Sequence, residues 1–354
     1  MNPQDIQKII DAISKMDIRQ ADFMEVCGTH TMAIAKSGLK SMLPSGIKLL
    51  SGPGCPVCVT PEETIDAILE LSMEKDVVIA TYGDMIRVPG SRQGDNLASR
   101  RAQGASVEMV YSAMDSVALA ADNPEKQVVF IGAGFETTAP GTAAAVKTAA
   151  EKKIKNYSVF SILKKVEPAL RALIEEDGFN VKGFICPGHV ATIIGEKGFR
   201  FLAEEYGIPS VISGFEPADI LISVYKLAKQ INEGRAALEN EYVRAVRPEG
   251  NPAAIRIMEE SFEPADDLWR GLGMIPKSGL RPGKAYAEYD ARTRFGIEIV
   301  QSDNKSICRC GDVIRGKISP SMCPLFGAAC TPEDPVGPCM VSSEGACAAE
   351  FKYS

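Results

Sequence analysis

The chain contains no run of 18 apolar residues, no cluster of basic residues and no loop of the form G-x-x-x-x-G-K-[ST]. The first absence excludes a helical membrane span. The second, together with a formal charge of −7 and a pI near 5.2, removes any general attraction to nucleic acid or to anionic membranes. The third leaves ATP hydrolysis without a recognisable phosphate cradle. The N-terminus, Met1-Asn-Pro-Gln-Asp5, lacks the basic and apolar regions of a secretion signal, so the expected location is cytoplasmic. Thiols stay mostly reduced there, and clusters of cysteine are then better explained by metal or redox chemistry than by structural disulfides.

Six of the ten cysteines fall in the last 47 residues, at Cys308, Cys310, Cys323, Cys330, Cys339 and Cys347. Four thiolates hold an iron–sulfur cluster or a zinc ion, so six leave two over. A structural zinc site usually shows short C-x2-C pairs, and this stretch has none. Its wide, irregular spacings suit a 4Fe–4S cubane reached from separate loops, and Pro320, Pro324, Pro332, Pro335, Pro338 and four glycines between Gly311 and Gly337 supply the loops. Zinc and a disulfide-bonded tail remain the alternatives on spacing alone.

Upstream, short apolar segments alternate with longer helical ones, the pattern of an α/β fold with mainly parallel sheets. Strands are expected near residues 47–50, 77–81, 128–132, 157–162, 183–186 and 209–213, and helices near 4–16, 61–74, 140–152, 166–176, 196–206 and 217–233. Thr60 reads as the N-cap of the second helix, with Pro61 at its first position and Glu63 completing a capping box. A polar break at Asp122-Asn-Pro-Glu-Lys126 and the fading alternation after residue 260 divide the chain into α/β domains at 1–122 and 123–260 and a loop-rich iron–sulfur domain at 261–354, which includes the only tryptophan, Trp269.

Ligands of such sheets bind beyond the carboxyl ends of the strands. Five unusual segments fall there: Cys27-Gly-Thr-His30, Gly52-Pro-Gly-Cys-Pro-Val-Cys58, Thr81-Tyr-Gly-Asp84 running into Arg87-Val-Pro-Gly90, Gly134-Phe-Glu-Thr-Thr138 and Pro187-Gly-His-Val190. The chain's two histidines, His30 and His189, both lie in these segments, which favours proton transfer or hydrogen bonding over a purely structural role. Cys55 and Cys58 form the one C-x2-C pair. Its place just before the Thr60 helix start favours thiolate and redox activity over two buried small hydrophobes. Cys27 stands alone beside His30, where a soft thiolate can ligate iron or act as a nucleophile, with Thr29 as the expected cap of a helix from His30 towards Lys36. Cys186 continues an apolar strand and reads as core packing.

These segments, with the closing Cys339-Met-Val-Ser-Ser-Glu344-Gly-Ala-Cys347-Ala-Ala, resemble the HypD family of hydrogenase maturation proteins from Cys27 to Tyr353. The resemblance implies two α/β domains and a third with a 4Fe–4S cluster. It also implies work on the Fe(CN)2CO group of NiFe hydrogenases, in complex with a small HypC-type chaperone and with cyanide from a HypE-type donor served by HypF. Its C-x14-C-x6-C-x16-C pattern falls on Cys308, Cys323, Cys330 and Cys347 as cluster ligands. Cys310 and Cys339 then match the redox-active pair beside the cluster in ferredoxin-dependent thioredoxin reductase. Cys27 is the expected iron anchor, joined by a cysteine of the small partner. Electrons are expected to pass from the cluster through Cys310/Cys339 to Cys55/Cys58, with Glu344 on a proton path. Two functions follow, an iron scaffold or a self-sufficient cluster-dependent disulfide reductase, and the isolated Cys27 with His30 favours the scaffold because a reductase has no use for it.

Overall fold

A computed structural model describes residues 3–299 and 307–353. Its strands in chain order are β1 (Ala21–Glu25), β2 (Ile47–Ser51), β3 (Val77–Thr81), β4 (Ser106–Met109), β5 (Gln127–Gly134), β6 (Tyr157–Lys164), β7 (Gly183–Pro187), β8 (Ser210–Ser213), β9 (Leu238–Asn240), β10 (Phe262–Trp269) and β11 (Gly273–Pro282). They form two sheets, β2-β1-β7-β8-β9 and β10-β11-β6-β5-β3-β4. The first is wholly parallel, and the second is parallel except for the β10–β11 hairpin along its β6 side. The architecture is α/β, as the alternation of segments predicts.

All six expected strands are present, and the helices Pro3–Ser14, Ala139–Glu151, Val166–Ile174 and Pro217–Asn232 lie where the periodicity puts them. The helix expected at 196–206 is instead two pieces, Glu196–Gly198 and Arg200–Glu204, preceded by Gly195 at φ 76°. The second helix is Glu62–Leu71 with Pro61 at its cap position, and the Thr60 hydroxyl donates to the Pro56 carbonyl rather than capping. Likewise Thr29 is not a cap: Cys27 holds that position for the helix Gly28–Ser37.

Neither sequence boundary separates sheets. β3 and β5 pair across the Asp122–Lys126 break, and the hairpin beyond residue 260 joins β6. The first sheet draws on segments 21–51 and 183–240, and the second on 77–164 and 262–282, so the chain crosses between sheets and back. Parallel strands are joined by crossovers, and which sheet a strand enters depends on packing partners that local pattern does not encode. The hairpin is held by a buried ion pair: Lys164 Nζ donates to Asp267 Oδ2 and to the Leu268 carbonyl, both at 2.7 Å, beneath the buried Trp269 ring. Trp269 Nε1 donates to Ser278 Oγ, so this residue belongs to the second sheet rather than to the tail.

Each sheet has one place where neighbouring parallel strands lead away in opposite directions. In the first it lies between β1, which leads to β2, and β7, which leads to β8; in the second it lies between β3 and β5. Such points open a crevice at the carboxyl ends of the strands. Cys27 follows β1 and His189 follows β7. Thr81-Tyr-Gly-Asp84 and Gly134-Phe-Glu136 close β3 and β5. The unusual segments therefore sit at the crevices the topology creates.

Candidate functional site

At the first crevice, the backbone is drawn together so tightly that only glycine fits. A Cβ on Gly54 would lie 2.1 Å from the Cys27 nitrogen, and one on Gly28 would lie 2.5 Å from Glu344 Cβ. Gly28 N donates to the Gly54 carbonyl, which brings the residue before Cys55 against the residue after Cys27. Thr29 Oγ1 donates to Glu344 Oε1 at 2.6 Å, joining the far C-terminal segment to the same point. Cys27, the Cys55 turn and Glu344 thus converge from three regions of the chain.

Cys27 is 7% exposed and adopts extended backbone. Its N–H donates to Glu25 Oε2, and Thr31 Oγ1 donates to Glu25 Oε1, so this buried carboxyl fixes the strand-to-helix turn. Burial pushes the Cys27 thiol up to about 12, despite backbone donors at His30 and Thr29. The thiol therefore keeps its proton at neutral pH. Burial also pushes Glu25 up to about 8. Sequence reading passed over Glu25 because a carboxylate at a strand end reads as solvated.

His30 is fully buried. Its Nε2 lies 2.9 Å from the Gly214 carbonyl, which assigns the proton to that nitrogen, and its Nδ1 has no hydrogen-bond partner among the described residues. Burial pushes the imidazole down to about 4, so it is neutral near pH 7. Both imidazoles stack on Phe215, with ring centroids 4.8 Å away for His30 and 3.8 Å away for His189. Phe215 links the two histidines, and its only signal in the sequence is the recurrence of Gly-Phe-Glu at 214–216.

Cys55 and Cys58 are joined as a disulfide within a closed turn whose Val59 N–H donates to the Cys55 carbonyl. The helix begins at Glu62, so its cap position is Pro61, one residue later than expected. The turn is instead tied to the hairpin tip: Arg270 N donates to the Val59 carbonyl and Arg270 Nε to the Thr60 carbonyl. On the hairpin's other side, a Cβ on Gly271 would fall 2.6 Å from Gly311 Cα, next to Cys310. The β10–β11 turn thus bridges the disulfide and the C-terminal cysteines. Cys186, in β7, is fully buried and serves packing.

All six C-terminal cysteines line one small cavity, with Val313, Leu325, Phe326 and Met340 among its apolar walls. The Cys310 thiol is held well below the usual range by hydrogen bonds from Cys308 and Cys339, and Cys339 is raised by its bonds to Cys310 and Cys347. Four sulfurs thus form a connected row, and Cys323 and Cys330 complete the lining. Among the described residues, no carboxylate or imidazole shares the cavity. An all-sulfur donor set in an apolar pocket fits an iron–sulfur cluster. Among the described residues, no three His, Cys, Asp or Glu side chains converge as a single ion requires. The geometry brings the six sulfurs together but does not divide four ligands from a free pair.

The Thr81–Gly90 segment is a clamp on this tail. Arg87 donates to the Pro332 and Glu333 carbonyls, and Asp84 accepts from Ser342 Oγ. At the second crevice, Glu136 accepts from Val166 N–H through Oε1, while Oε2 is buried without a hydrogen-bond partner among the described residues. Burial pushes its carboxyl up to about 7, against the Val166 N–H and Lys165. Because this value lies above 4.5, the stability it contributes is complete below about pH 4.5 and is lost as pH rises towards 7. Wild type should therefore lose on the order of 3 kcal/mol relative to Glu136→Gln over that interval in urea denaturation. Parallel stability curves for the two proteins would remove the assignment.

Comparison with known proteins gives one consistent answer. The family described as "Hydrogenase formation hypA family", HypD, matches residues 4–354. A hydrogenase maturation factor of Bradyrhizobium diazoefficiens is 46% identical over 94% of this chain and 89% of its own length. The Rhodobacter capsulatus hydrogenase maturation factor HypD is 42% identical over 99% and 93%. That of Azotobacter vinelandii is 44% identical over 95% and 90%.

Proposed function

This chain belongs to the HypD family and acts in hydrogenase maturation, and on that premise we propose that it is an iron scaffold on which the Fe(CN)2CO group of NiFe hydrogenases is assembled. The observation that carries this reading is the convergence of Cys27, the Cys55/Cys58 turn and Glu344 at one crevice. The iron group is the substrate. Cys27 supplies a soft anchor for low-spin iron, shared with a cysteine of a HypC-type partner. Its neighbours His30 and Glu344 differ in kind. His30 is a fixed neutral imidazole with an open lone pair, suited to accept a hydrogen bond. Glu344, half-buried and bonded to Thr29, is the acid that can move a proton between the crevice and solvent. Cyanide arrives from a HypE-type donor, with HypF upstream.

A 4Fe–4S cluster on Cys308, Cys323, Cys330 and Cys347 would supply electrons one at a time. Cys310 and Cys339, already in sulfur–hydrogen contact, can close to a disulfide with release of two protons and two electrons. Reduction of Cys55–Cys58 consumes the same numbers. The Arg270 turn touches both regions, by hydrogen bonds to the Cys55/Cys58 turn and by close packing of Gly271 on Gly311. Replacing Cys55 and Cys58 together by serine should lower mature hydrogenase at least about tenfold in a host lacking its own copy of this chain, as expected for loss of a required redox pair. Undiminished hydrogenase would eliminate the relay. The alternative, a self-sufficient disulfide reductase, predicts that thiol reductase activity survives loss of Cys27.

A further inference from the structure

A groove of about 750 Å3 runs along β2, and all five residues of that strand line it. β2 is an edge strand: it pairs with β1 and, among the described residues, has no strand on its other side. Ala21 N donates to the Gly46 carbonyl and Gly52 N to the Glu25 carbonyl, and with the pairing of Ala21 to Ile47 these bonds fix which groups face β1. Lys48 and Leu50 turn their N–H and C=O groups inward to that ladder. Leu49 and Ser51 turn theirs outward, and none of these four groups has a hydrogen-bond partner among the described residues. An edge with free donors and acceptors at strand spacing is a template for one more strand.

The walls decide what kind of strand fits. Ile34 and Ala35 of the helix Gly28–Ser37 line the groove over one face of β2, where Ile34 shares a core with Ile47 and Leu49. Gly316 covers the other face, where a Cβ on it would meet Met24 and Leu50. Met322 also lines the groove although 66% exposed, and the exposed Met42 follows the lining residue Ser41, so the rim is apolar. The lining charges select no ion: Lys317 is paired with Glu176, and Lys40 and Lys48 equal Asp22 and Glu350 in number. Recognition therefore falls to the backbone edge and the apolar walls. Those walls also exclude a second copy of the chain, whose own β2 is recessed between the same two walls and could not reach this one.

We propose that this groove takes an extended, mainly apolar segment of a partner protein as a sixth strand of the five-stranded first sheet, bonded through its main chain to Leu49 and Ser51. Successive side chains of a strand point to opposite faces, so alternate residues of the segment pack towards Ile34 and towards Met322. β2 runs on into the Gly52–Cys58 turn, which places the added strand beside the Cys27 crevice. The inference rests on the free edge and its walls, and does not depend on the iron chemistry proposed for that crevice.

The test is fluorescence anisotropy on the full chain with a dye-labelled peptide, Lys-Val-Ile-Val-Ile-Val-Lys, capped at both ends. It should saturate a single site. The same peptide N-methylated at its five central residues keeps every side chain but loses the N–H groups, and should bind at least about tenfold more weakly, the effect of losing two or more hydrogen bonds. Ala35→Trp fills the groove without touching β2 and should abolish binding. Met322→Asn, at an exposed position that folding does not need, should weaken it severalfold. Thermal unfolding of each variant checks that it is folded, and sedimentation of the wild type should show a monomer. Absence of saturable binding to wild type, equal binding of the N-methylated peptide, or binding unchanged in both variants would each overturn the site. A wild-type dimer that Ala35→Trp dissolves would assign the edge to a second copy and overturn the peptide.

Discussion

Replacing Cys27 by alanine is expected to abolish the cyanide and CO stretching bands of the iron group in the complex purified with its small partner, while leaving the visible absorption of the C-terminal centre unchanged. The reason is local. Cys27 occupies a turn built by other groups: Gly54 presses on its nitrogen, Glu25 accepts its N–H and Thr31 N–H closes onto its carbonyl. None of these contacts uses the sulfur. Loss of one buried sulfur atom should cost stability on the order of 1 kcal/mol, too little to unfold the chain. Loss of the anchor should instead remove the iron altogether. Cys27→Ser gives a sharper version, because it keeps the shape and replaces a soft donor by a hard one. Its bands should also vanish. Bands of wild-type intensity in either variant would exclude Cys27 as the anchor and return the disulfide-reductase reading to first place.

How much of this was legible in the sequence differs from element to element. β3, β5 and β6 read directly because buried parallel strands are near-continuous apolar runs. β1 did not, since Asp22 and Glu25 interrupt its five residues, yet Glu25 is buried and holds the Cys27 turn. The β10–β11 hairpin was missed for a similar reason: Glu263, Asp266 and Asp267 give β10 a polar surface, while Asp267 is in fact neutralised by the buried Lys164. That hidden pair is also why the alternation fades near residue 260 although the second sheet continues through β10 and β11. The cysteines and histidines of the site were legible as residue types at strand ends. Their partners were not: Phe215, Arg270 and Thr29 act through tertiary contacts with residues 26 to 315 positions away in sequence, for which local pattern carries no signal.

The second large effect is expected at the C-terminal centre. Protein purified without oxygen should be brown, and alanine at Cys308, Cys323, Cys330 or Cys347 should remove the colour together with iron and sulfide. Alanine at Cys310 or Cys339 should leave it. The cavity adds a test that touches no ligand. A Cβ at Gly337 would fall 2.3 Å from Cys308 Sγ, and Gly337 precedes the short helix Pro338–Val341 that carries Cys339. The Cys308 sulfur would have to move, because the backbone at Gly337 is pinned between that helix and Cys330, whose Sγ accepts the Val336 N–H. Gly337→Ala should therefore lower cluster content severalfold without deleting a thiol, whereas a zinc or disulfide tail has no visible colour to lose. Analysis that finds one zinc per chain, or colour that persists in all four ligand variants, would overturn the cluster. Colour lost equally from Cys310→Ala and Cys339→Ala would keep the cluster but redraw its ligand set, because the row from Cys308 through Cys310 and Cys339 to Cys347 brings both sulfurs as close to the cavity as the other four.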